Sequence, residues 1–243
     1  MIKVILFFLL FIIPLNNIDA SEVKLQEIFK GLQSPWSLSF IDNENVILTE
    51  KSGNLLHINL IEKKIKKINH NLDILEDGQG GLLDVLYKDQ NIYVSYSENR
   101  GNYNSSTSVA KGKFNIDIIT FKNIFRAEPP IKSGYHFGSR LAVKDNHLYV
   151  TAGERGKGMI AQDPTKHPGS IIRINLDGSI PKDNPKFNNK KNGYQKYIKL
   201  ALETLKVWLY LLLTIKFILP IMEREVETGL AVLTTEKTMV GKY

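Results

Sequence analysis

Residues His147 to Gly178 read HLYVTAGERGKGMIAQDPTKHPGSIIRINLDG. A β-branched and aromatic run, Leu148 to Thr151, gives way to a polar, glycine-punctuated loop, and a second apolar run begins at Ile171. Runs of this kind bounded by turn residues read as strands. The same order occurs twice earlier: Asn45 opens NVILTEKSGNLLHINL, and Asn91 opens NIYVSYSENRGNYNSSTSVAKGKFN. Each unit is preceded by a further apolar run, PWSLSF, GLLDVLY or SRLAV. Units of a few strands recurring at roughly 50 residues are the mark of a β-propeller. An ordinary antiparallel sandwich would not need the same order of runs three times. The expectation is an all-β chain carrying about three blades. Propellers commonly close with about four to eight blades, and no further blade is legible after Asn192.

At 243 residues and 43% hydrophobic, the chain can bury one sizeable core. Net charge is +7, but most of the excess lies from Pro185 onward and no basic stripe alternates with aromatics, so nucleic-acid binding is not expected. There is no cysteine, so no disulfide holds the fold. The N-terminus, MIKVILFFLLFIIPLNNIDA, has a basic start, an apolar run from Val4 to Leu15 and small residues up to Ala20. That layout reads as a secretory signal peptide over residues 1–20. The run is short for a membrane span, and the expected destination is periplasmic or extracellular.

Three glycine-rich stretches carry the candidate chemistry: DGQGGLLDV from Asp77, GYHFGSRLAV from Gly134 and TAGERGKGMIAQDP from Thr151. Loops of this kind gather at one end of a propeller and bring distant residues together. His136 is the candidate base, since an imidazole takes a hydroxyl proton near neutrality when oriented. Glu154 is the candidate to orient it, and Gln79 offers a neutral donor and acceptor for a sugar or a quinone.

The region from Ser21 to Pro185 resembles the soluble sugar dehydrogenases of the glucose/sorbosone dehydrogenase family. The resemblance rests on LQSPWSLSF, GQGGLLDV, YVSYSE, HFGSRLAV, GERG with AQDP, and GSIIRINLDGSIPKDNP, in that order. It implies a six-bladed propeller, with residues 21–190 as its N-terminal half. It also implies pyrroloquinoline quinone (PQQ) as cofactor, calcium beside it, an aldose oxidised at its anomeric carbon, and a separate electron acceptor. On this basis His136 takes the hydroxyl proton while hydride passes to the quinone, and Glu154 is its acidic partner. Gln79 stands at substrate and cofactor, and Arg155 lies near the quinone. The resemblance implies no oligomeric state. The other class of function is an exported, non-catalytic propeller that binds a sugar or a protein.

Residues 191–243 do not continue the family pattern. Their Leu-rich stretch, VWLYLLLTIKFILPI, is short for a membrane anchor and holds Lys216. Read one base earlier, the codons of Glu203 to Trp208 permit Arg-Asn-Pro-Gln-Gly-Leu, and those of Thr238 to Gly241 permit Asn-Tyr-Gly-Trp. Both are segments that the resemblance leads one to expect, in the family's order. The expectation is a reading-frame slip near Lys190 to Gly193, a helical or disordered tail without a domain of its own, and a truncated chain that is inactive as a dehydrogenase.

Overall fold

The structure is a computed structural model that describes residues 27–184 and 197–199. Strands β1 (Pro35–Phe40), β2 (Asn45–Glu50), β3 (Leu55–Asn59) and β4 (Lys64–His70) form a first antiparallel sheet in chain order. Strands β5 (Leu82–Lys88), β6 (Asn91–Asn99) and β7 (Ser105–Lys113) begin a second. The chain then crosses back, and the two-residue strand β8 (Ile118–Ile119) adds parallel to β4. It returns as β9 (Lys122–Arg126), the fourth strand of the second sheet. Strands β10 (Gly138–Lys144), β11 (His147–Ala152), β12 (Ser170–Asn175) and β13 (Tyr197–Lys199) form the third. The fold is that of a β-propeller, and the described residues form three sheets, the first of five strands and the other two of four.

Local chemistry explains the hairpins. Asp89 and Gln90 join β5 to β6, and Asp145 and Asn146 join β10 to β11, each pair with φ between +49° and +61°. Two successive left-handed residues make the type I′ turn, whose twist matches that of the flanking strands, and Asp and Asn tolerate that region.

The first strand of each blade faces its neighbour, β1 against β5 and β5 against β10. The second blade has no solvent face along β6. Ile92, Val94 and Tyr96 pack toward the first blade with Ile47, Leu55 and Ile68. Tyr93 points the other way, into a cluster with Leu148, Val150 and Ile172 of the third blade. This is the period-2 alternation of a strand buried on both sides, and it explains why the IYVSYS run is almost continuously apolar or small.

Polar contacts join the same three strands. The Asp84 carboxylate on β5 accepts from the Ser37 hydroxyl on β1, from the Leu141 N–H on β10 at 2.7 Å and from the Arg140 guanidinium at 3.3 Å. Asp84 is buried, so these donors offset the cost of taking a charge out of water.

One boundary differs from the sequence reading. Tyr197–Lys199, which that reading placed in the tail, pairs with β12 as the fourth strand of the third blade. Strand addition needs main-chain donors and acceptors more than particular side chains, so side-chain patterning did not mark it. The signal peptide and the rest of residues 191–243 lie outside the described residues. Among the described residues no helix is long and apolar enough to cross a membrane.

Candidate active site

Gln79 lies in the loop entering β5, His136 in the loop entering β10, and Glu154 just past the end of β11. All three are at the same end of their blades, where inner strands begin and second strands finish. The His136 N–H donates to Gln79 Oε1 at 2.8 Å, and the Gln79 N–H donates to the Gly134 carbonyl at 2.7 Å. His136 Nδ1 bonds Glu154 Oε1. The structure therefore brings together the three residues singled out for proton transfer and ligand contact, although 57 residues separate Gln79 from His136.

A carboxylate only accepts, so it places the imidazole proton on Nδ1 and leaves the Nε2 lone pair available. Nε2 has no hydrogen-bond partner among the described residues. The His136 side chain is 39% exposed and that of Glu154 only 7%, so a buried carboxylate holds a partly exposed ring. The Gly156 N–H also reaches Glu154 Oε1, at 3.3 Å, which fixes the carboxylate from a second direction.

The backbone here tolerates no bulk. A Cβ on Gly153 would stand 1.8 Å from the His136 carbonyl oxygen, and one on Gly78 would stand 2.5 Å from the Gly134 oxygen. His136 itself sits at φ +49°, a region uncommon for residues with a side chain. Such strain persists only where surroundings over-determine it.

The placement of Arg155 differs from a cofactor contact. The residue is 2% exposed and turned into the protein. Its Nε donates to the Tyr135 carbonyl at 2.9 Å. Its Nη1 donates to the Ser105 carbonyl at 3.0 Å, and its Nη2 to Ser105 Oγ at 2.9 Å and to the Ser133 carbonyl. The guanidinium carbon lies 3.6 Å from the centre of the Phe137 ring. Burial pulls the Arg155 pKa down to about 10, against the pull of Asp77 and Glu154. With its donors turned to three main-chain oxygens and the Ser105 hydroxyl, the side chain holds the His136 loop rather than an outside ligand.

Two residues that the sequence reading passed over matter to this end of the fold. Asp84 ties the three inner strands together, and its signal was an acid inside the otherwise apolar run GLLDVLY. Ser105 receives Arg155 from the second blade, and nothing in the sequence marks it, because a serine at the start of a strand is ordinary.

A family model described as Glucose / Sorbosone dehydrogenase matches residues 32–198. The chain is 30% identical over 191 residues to aldose sugar dehydrogenase YliI of Escherichia coli strain K12, covering 72% of this chain and 52% of that one. It is 29% identical over 198 residues to quinoprotein glucose dehydrogenase B of Acinetobacter calcoaceticus, covering 66% and 41%. The crystal structure of the soluble aldose sugar dehydrogenase from Escherichia coli in its apo form matches with a TM-score of 0.64 at 31% identity, over 68% of this chain and 50% of that one. The chain thus spans about half the length of the curated relatives it matches.

Proposed function

Because the chain belongs to the glucose/sorbosone dehydrogenase family, we propose that His136, Glu154 and Gln79 form the proton-accepting side of a site that oxidises an aldose at its anomeric carbon. The observation that carries this reading is the His136–Glu154 pair, which leaves the opposite nitrogen of a partly exposed ring free of hydrogen bonds to the described residues. Nε2 takes the proton of the anomeric hydroxyl as the carbon is oxidised. Glu154 stabilises the imidazolium that forms and keeps the ring from flipping. Gln79 is tethered to His136 through its carbonyl oxygen, so its amide N–H groups remain to orient a sugar hydroxyl or a quinone carbonyl.

A quinone cofactor fits this donor set. Its carbonyl oxygens accept from an amide such as that of Gln79, and the name of the Acinetobacter relative marks that protein as a quinoprotein. PQQ, when bound, supplies the hydride acceptor. Arg155 does not fit as a ligand, because its donors are committed to the His136 loop and to Ser105 of the second blade. For calcium, no group of three or more His, Asp or Glu side chains suited to a metal occurs among the described residues, and no step is assigned to that ion.

The out-of-frame reading of the tail belongs to the same proposal. The residues expected to complete the cofactor site are encoded in the shifted frame, and the chain as written is inactive. The protein is exported, which suits an enzyme that meets free sugars. Titrating PQQ into the frame-restored protein and following quinone absorbance tests the reading. Saturable binding that weakens in Gln79→Ala is expected. Sugar binding without any quinone binding would replace it with a non-catalytic propeller.

A further inference from the structure

The loop that carries His136 has an unusual property: every main-chain carbonyl from Ser133 to Phe137 is engaged. Gly134 is held by the Gln79 N–H at 2.7 Å. Phe137 is held by the Thr107 hydroxyl at 2.8 Å and the Gly153 N–H at 3.0 Å. The other three all go to Arg155. Its side chain takes the Ser133 and Tyr135 carbonyls, and its main-chain N–H takes that of His136, at 3.4 Å. The guanidinium is the hub around which the loop curls, with the Phe137 ring beneath it and Ser105 of the second blade behind it.

We propose that Arg155 is a positioning residue that locks the His136 imidazole into the single Nδ1–H tautomer facing Glu154. Glu154 and Arg155 are adjacent in sequence and hold His136 from two sides, the carboxylate through the ring and Arg155 through its N–H on the His136 carbonyl and its guanidinium on the flanking Ser133 and Tyr135 carbonyls. The left-handed backbone at His136, φ +49°, is not one the residue adopts freely. Without the hub, the Ser133 and Tyr135 carbonyls lose their buried donor, the loop relaxes toward commoner φ values, and Nδ1 moves off Glu154. Lysine cannot replace arginine here. An ammonium is a point donor, whereas the planar fork reaches carbonyls on two segments and stacks on an aromatic face. The consequence for catalysis rests on the proposed dehydrogenase reading, but the tautomer lock does not.

The test is made on the ¹⁵N-labelled 243-residue chain. Two-bond ¹H–¹⁵N correlations of the imidazoles report which nitrogen carries the proton, and His136→Gln assigns the His136 signals. Native protein is expected to show one Nδ1–H tautomer for neutral His136. Arg155→Gln and Arg155→Lys are expected to show the exchange-averaged pattern of mixed tautomers, with the other histidines unchanged. If Arg155→Gln does not fold, Arg155→Lys, which keeps the core charge, decides alone. An unaltered His136 tautomer in a folded Arg155→Lys chain would overturn the proposal, as would mixed tautomers in the native chain. In the frame-restored protein the same lysine variant is expected to lose turnover by roughly 10²-fold with little change in KM for the sugar. A tautomer shift in the lysine variant, together with no dehydrogenase activity in the frame-restored protein that keeps Arg155, would overturn the functional reading and leave the positioning role standing.

Discussion

Replacing His136 with alanine in the frame-restored protein is expected to lower turnover on the order of 10²–10⁴-fold, the contribution of a positioned general base. Sugar affinity should change far less, because the imidazole contributes mainly in the transition state, when the hydroxyl proton moves. Its backbone N–H, which holds Gln79, survives in alanine. Glu154→Gln should fall between native protein and His136→Ala. The amide can still accept from Nδ1–H, but it carries no charge to stabilise the imidazolium. Steady-state dye reduction at saturating glucose measures both variants. Turnover within a factor of about two of native in His136→Ala would remove the base assignment, since a positioned base is worth far more than that.

Gly153→Ala is expected to be nearly as damaging without touching a reacting group. The new Cβ would lie 1.8 Å from the His136 carbonyl oxygen and 2.5 Å from its carbon. Both are main-chain atoms, so no side-chain rotamer can relieve the clash. Either the strand end after β11 or the His136 loop must move by an ångström or more, and each movement separates Nδ1 from Glu154. Misplacement on that scale costs roughly 10²-fold in rate, and the overpacking costs about 1–3 kcal/mol of stability. Gly158→Ala is the matched control: nothing lies within 4 Å of its added Cβ. Turnover and urea midpoints of the two variants should differ clearly. Equal behaviour would mean that the loop yields without cost.

The blade pattern was legible because its cause is local. The strand runs at Asn45, Asn91 and His147 alternate or saturate with β-branched and aromatic residues, and each lies where the structure has a second strand. The convergence of Gln79, His136 and Glu154 was legible for a different reason, since loops at the ends of successive strands gather at one end of such a fold. Interactions fixed by tertiary contact were not legible. Nothing in the sequence says that Arg155 turns inward, because an arginine beside a glycine reads equally well as exposed. Whether it meets solvent or the Ser133 and Tyr135 carbonyls depends on a loop 20 residues away. The parallel strand β8 escaped notice because two residues carry no periodicity. Strand β13 escaped because pairing with β12 draws on backbone groups that every residue has.

We propose that this chain carries the base-bearing half of a quinone-dependent aldose dehydrogenase, with its complement encoded in the shifted frame. The most direct measurement compares the 243-residue chain with its frame-restored counterpart, each supplied with PQQ and calcium. Glucose is added, and reduction of a dye acceptor is followed. Glucose-dependent reduction is expected from the frame-restored protein, abolished when PQQ is omitted, and none from the 243-residue chain. Reduction by the 243-residue chain at the restored protein's rate would contradict the out-of-frame reading of the tail. Absence of reduction by a folded, PQQ-bound restored protein across a panel of aldoses would contradict the dehydrogenase reading itself.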